Sequence, residues 1–228
     1  MDILFCMLDW LSLVMLGIMV LYRRKRMPET PLRYLSWWVT IRGAGVVYAH
    51  LLPAVLPGFE VSVYNIQLLD LAALLTLLFF LRQLSETWLT RNFFTVVGST
   101  LAGEVLLWYS LPAESAAGGG LVLLSMVGLA YSVDFLVKQV RLPIPQSVPN
   151  VPLFWMVCGM LVFYLGAVLV YGAGLLMSAE QLAQILPGLQ YTPSLIHLCS
   201  IGMQVLVIIG ILQLRRSWYV ADAFSFNV

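Results

Sequence analysis

Five ionisable residues interrupt otherwise apolar stretches of this sequence: Asp9, Arg42, Asp70, Glu104 and Asp134. In hydrocarbon such a group costs about 2.5–3.5 kcal/mol at the centre of a span, so it normally faces a bundle interior or water. Arg42, Asp70 and Glu104 fall midway along three successive apolar stretches. An arginine there stays charged. The lowest-energy arrangement pairs its guanidinium with at least one of the two carboxylates in a charge-assisted bond. Two readings follow: a polar centre that binds a ligand, ion or proton, or a buried ion pair that fixes helix register.

More polar residues recur at helical spacing. Tyr64, Gln67 and Asp70 are three apart, with Asn65 beside them. His197, Ser200 and Gln204 fall at i, i+3 and i+7, and Thr100, Glu104 and Trp108 repeat every four residues. Each set shares one helix face. Asp9, His50, Asn65, Gln67 and His197 fall in the outer half of the expected spans, which predicts a hydrated pocket open to the outside. For any one of them the bland reading is interhelical hydrogen bonding, worth about 0.6 kcal/mol on average in membranes. Asp134 and Lys138, four apart, read as a local ion pair, and Asp9 as a partly hydrated group near a surface.

The elements that position these groups follow from composition. Of 228 residues, 61% are hydrophobic and 10% charged, against about 25% charged in a soluble domain. A span needs roughly 20 apolar residues, and seven segments qualify: about 3–22, 34–56, 61–81, 93–111, 119–138, 153–177 and 193–214. The expected fold is an all-α seven-transmembrane bundle in one domain, with no room for an attached kinase, nucleotide-binding or extracellular domain.

Eleven of the twelve Lys and Arg residues fall in the loops after segments 1, 3, 5 and 7; the twelfth is Arg42. The opposite loops carry only acids: Asp2, Glu60, Glu114 and Glu180. The positive-inside rule then predicts the N-terminus outside and the C-terminus in the cytoplasm, in a cell (inner) membrane. Pro112 to Gly120 reads as a flexible outer loop, and Leu142 to Pro152 as a stiff Pro-rich connection. Ser178 to Gln181 resembles a capping box opening a short surface helix at about 179–186. Trp37, Trp38, Trp108 and Trp155 sit near predicted span ends, where indole rings anchor. Gly98-x-x-x-Ala102, Ser99-x-x-x-Gly103 and Gly128-x-x-x-Ser132 read as close-packing motifs. Echoes between Pro31-Leu32 and Pro152-Leu153, and between segments 3 and 7, suggest a parallel three-plus-one-plus-three repeat with segment 4 as linker.

Several chemistries drop out. The only lysines, Lys25 and Lys138, sit at segment ends, which excludes a retinal Schiff base. Two histidines are too few for a three-His metal hydrolase, and no tight ligand spacing occurs, so no metal or cofactor is expected. There is no G-x-S-x-G and no phosphate-binding glycine loop, and the three cysteines are unpaired in sequence. No catalytic residue is assigned, and a net charge of +1 gives no nucleic-acid surface.

The run from Arg26 to Leu35 (RMPETPLRYL), Val63 to Gln67 (VYNIQ), Pro152 to Trp155 (PLFW) and Leu195 to His197 (LIH) carry a resemblance. Together they resemble an uncharacterised family of small bacterial seven-transmembrane proteins, itself similar to the membrane input modules of sensor kinases. That resemblance implies a sensor without its kinase and transfers no catalytic residue. Where such relatives place an acid in the third helix, this chain has Asp70 somewhat deeper. The leading expectation is a receptor-like module that takes a small ligand from the outer side and signals to a separate cytoplasmic or membrane partner. The alternatives are a small-solute or proton-coupled transporter, although the paired Pro-Gln signature of sugar carriers is missing, and a structural subunit of a membrane complex.

Overall fold

A computed structural model describes residues 2–26, 30–56, 58–84, 92–110, 113–141, 152–176 and 192–213. Within helices, the side chains of Tyr64, Gln67, Glu104 and Trp108 lie outside that description. The described residues form seven helices and no strand. They are α1 (Asp2–Arg26), α2 (Thr30–Val46, continued by a π-helical turn, Val47–Leu51, and a last turn, Leu52–Val55), α3 (Val63–Leu84), α4 (Phe93–Ser110), α5 (Ala113–Arg141), α6 (Pro152–Leu176) and α7 (Thr192–Gln213).

The segment bounds expected from apolar length agree with these helices to within a few residues, except at the start of α5. The stretch expected as a flexible loop from Pro112 to Gly120 is helical from Ala113 onward, so α5 starts six residues early. Ala113, Ala116 and Ala117 favour helix. The glycines that lower local propensity, Gly119 and Gly120, are buried, so packing overrides them. In α2, Pro53 has no N–H to give the carbonyl of Ala49. The ladder widens to a π turn over Val47–Leu51, just before the proline, and the helix continues. The Pro-rich connection, the capping box and the 179–186 helix lie outside the described residues.

Each helix packs mainly on its neighbours in a closed circuit: α1 on α2, α2 on α3, α3 on α5, α5 on α6, α6 on α7 and α7 back on α1. Helix α4 lies outside this ring, against α5. Glycines allow the closest approaches. A Cβ added at Gly159 or Gly210 would meet backbone of the facing helix in the α6–α7 contact, at 2.8 Å and 2.6 Å. One added at Gly128 would collide with the ring of Tyr164. The Gly128-x-x-x-Ser132 motif therefore packs α5 on α6, whereas Gly98 has nothing within 4 Å of that position and faces outward. Trp38, expected as an interfacial anchor, is instead fully buried in the core while Trp37 is 52% exposed. Adjacent positions on a helix point about 100° apart, so only one of the pair can face out.

The apolar core, which includes Leu16, Trp38, Leu77, Phe80 and Tyr164, holds a few polar groups, and the outer surface is largely apolar as well. Asp9, Ser125, Ser132, Ser200 and Gln204 are buried, while Met7, Leu11, Ile18, Leu68, Phe94, Leu169 and Leu198 are exposed. Such an outer surface is compatible with lipid contact. Among the described residues three helical stretches, Gly119–Val140, Pro152–Ala173 and Leu195–Gln213, are long and apolar enough to cross a membrane, and Cys6–Tyr22 and Phe93–Gly103 are shorter apolar helices.

Candidate functional site

A cavity of about 190 Å3 opens at the centre of the ring. All six ring helices line it. Asp9 and Trp10 come from α1, Arg42 and His50 from α2, Asp70 from α3, Leu121 from α5, Phe163 and Tyr171 from α6, and Ile196 and His197 from α7. Ile41, Val46, Ala49, Ile66, Leu69, Leu74 and Ala167 make much of the remaining wall apolar.

Two polar pairs stand in this wall. Nη1 of Arg42 donates to Oδ1 of Asp70 at 2.6 Å, tying α2 to α3, with each side chain 23% exposed. The contact uses one guanidinium nitrogen and one carboxylate oxygen. Among the described residues Arg42 makes no other hydrogen bond. In the second pair, Oδ2 of Asp9 lies 2.8 Å from Nδ1 of His197, tying α1 to α7. Oδ1 of Asp9 accepts from Oγ of Ser200 at 2.8 Å and from Nε2 of Gln204 at 2.7 Å. Gln204 Nε2 also reaches Ser200 Oγ at 3.0 Å, and Gln204 Oε1 accepts from the Ser12 hydroxyl. Asp9 is thus a buried carboxylate with three side-chain partners on α7 rather than the partly hydrated group expected near the outer surface.

The donors on Oδ1 define the chemistry of this second pair. A carboxylate only accepts, so His197 presents Nδ1–H to it. In the neutral ring Nε2 then carries a lone pair, and no described residue bonds it. A carboxylate holding one imidazole nitrogen fixes the tautomer and the ring orientation, as in many binding and catalytic sites. Arg42 lies within coulombic reach of both Asp9 and Tyr171, so the two pairs share one electrostatic environment.

Of the residues singled out from sequence, Arg42, Asp70, His50 and His197 line the cavity, and Ser200 and Gln204 support it through Asp9. His50 packs edge-on to Trp10 with ring centroids 5.2 Å apart. Asn65 is exposed and donates from Nδ2 to the Tyr48 hydroxyl at 2.7 Å. The same hydroxyl accepts from Ser62 N–H at 3.1 Å. These bonds hold the turn between α2 and α3, in which Phe59 N–H donates to Leu56 C=O and Gly58 takes a φ of +87°. Tyr64, Gln67 and Glu104 have side chains outside the described residues, and the helix that carries Glu104 lies outside the ring.

Sequence reasoning gave too little weight to Asp9 and missed Tyr171. Asp9 and Ser12 are three apart, the same one-face spacing as His197 and Ser200, which was the available signal. Tyr171 stands in the most apolar helix of the chain with only Tyr164, seven residues before it, as a polar companion on its face, so little marked it. No group of three or more His, Cys, Asp or Glu residues able to hold a metal occurs among the described residues.

The fold and composition are those of an all-helical protein with helices apolar enough to span a membrane. No protein-family model, curated protein or solved structure matches the chain.

Proposed function

We propose that this protein is a seven-helix module of a cell (inner) membrane, N-terminus outside and C-terminus in the cytoplasm, that binds a small ligand in its central cavity. It would receive that ligand from the outer side and report it to a separate cytoplasmic or membrane partner. One observation carries the reading: a single cavity touches all six ring helices, and its two polar pairs are the links between α2 and α3 and between α1 and α7. A ligand that competes for Arg42 or His197 perturbs a helix–helix link, and a ligand shifts an equilibrium by its differential affinity for two packings.

The test uses the purified full-length chain with a panel of small acids, amines and neutral alcohols. A ligand-dependent rise in melting temperature, lost on filling the cavity with Ala167→Trp, and a partner recovered by cross-linking in cells support the reading. No shift with any member of the panel and no cross-linked partner would remove its support.

A second reading, a small-solute or proton-coupled transporter, is favoured by the place of α4. With α4 outside, α1–α3 and α5–α7 form two sequential arcs of one ring, as a parallel repeat with a linker helix would. Uptake into proteoliposomes that disappears with Asp70→Asn decides for transport. A purely structural subunit predicts neither uptake nor ligand shift.

A further inference from the structure

We propose that the cavity takes a small, largely apolar carboxylic acid, bound as the anion together with one proton; this rests on the ligand-binding reading above. The inference starts from unused bonding capacity. Among the described residues Arg42 spends one N–H, on Asp70, and keeps the rest of its fork, in a wall that is otherwise mostly apolar. A guanidinium fork matches the two oxygens of a carboxylate. In the lining of the same cavity, His197 is held through Nδ1 by Asp9 and has no described partner at Nε2.

The charge balance supplies the proton. With His197 neutral, Arg42, Asp70 and Asp9 sum to one negative charge, so an anion entering alone would meet a site of its own sign. Its oxygen would also face the Nε2 lone pair. A single proton between the carboxyl oxygen and Nε2 removes both conflicts: the O–H or N–H bond on one side becomes a hydrogen bond on the other, and no net charge enters the membrane interior. His197 contacts Asp9, which is within coulombic reach of Cys6 on α1 and Arg42 on α2; His50, Asp70 and Tyr171 share the cavity lining. An apolar cavity of about 150 Å3 accommodates benzene, so 190 Å3 admits an acid with a body of that size.

The experiment is calorimetric titration of the full-length chain in nanodiscs with benzoate, benzyl alcohol and benzylamine. Benzoate is expected to bind at least tenfold more tightly than the other two. Repeating the titration in buffers of different ionisation enthalpy should show uptake approaching one proton per benzoate, with affinity falling about tenfold per pH unit on the alkaline side. Arg42→Lys, which keeps the charge but loses the fork, should weaken benzoate at least tenfold. Should that variant fail to fold, the proton count on the unmodified protein decides. Benzylamine or benzyl alcohol binding as tightly as benzoate, or benzoate binding without proton uptake, overturns the acid while leaving a ligand-binding cavity in place. No binding by any of the three overturns the acid, and only silence across the wider panel as well removes the cavity reading.

Discussion

Asp9 and His197 stand 188 positions apart in sequence and 2.8 Å apart in space, and their contact closes the ring by joining its first helix to its last. Ser200 and Gln204 complete the clasp from successive turns of α7. Hydrogen bonds to charged groups contribute roughly 1.5–3 kcal/mol in soluble proteins, and average less in membranes because the separated helices find other partners. Asp9→Ala is therefore expected to destabilise the protein by about 2 kcal/mol. A double-mutant cycle of Asp9→Ala with Gln204→Leu, read by thermal denaturation in one detergent, should give a coupling well above zero. Strict additivity would mean that the clasp holds nothing.

The Arg42–Asp70 pair should show the asymmetry of half-buried ion pairs. Removing one partner leaves an uncompensated charge, at a cost of about 3 kcal/mol, whereas removing both leaves none. Asp70→Asn alone is expected to lower the melting temperature more than Arg42→Gln with Asp70→Asn together. If the double variant proves the less stable, the pair is not an isolated unit.

Tyr164 lies on Gly128 so closely that a methyl group there would occupy the ring's place. Gly128→Ala should destabilise by about 1–3 kcal/mol through overpacking. Combining it with Tyr164→Leu should recover part of that loss. Gly98→Ala on α4 meets nothing within 4 Å and should be near neutral or mildly stabilising, a control for helix propensity. Equal effects at the two glycines would refute the packing difference.

The proposed orientation can be read with a membrane-impermeant thiol reagent on intact cells. In a chain freed of Cys6, Cys158 and Cys199, a cysteine at Glu60 should label from outside, and one at Lys138 only after permeabilisation. Reversed labelling would invert the proposed orientation.

Most of the helical architecture was legible in the sequence because backbone satisfaction in an apolar setting leaves the helix as the local solution wherever about twenty apolar residues run together. That Arg42 takes a carboxylate partner was legible too, since a permanently charged group in such a stretch demands a counter-charge. Which counter-charge it took, Asp70 at 2.6 Å, was not. That depends on which helices are neighbours, and apolar helices carry little pairing information in their composition. The clasp on Asp9, the burial of Trp38, the helical Gly119 and Gly120 and the contribution of Tyr171 to the cavity share that origin. Local pattern determined the elements and the inventory of polar groups. Only tertiary packing, through glycine-mediated approaches and the closure of α1 on α7, decided which of those groups face one another across a common space.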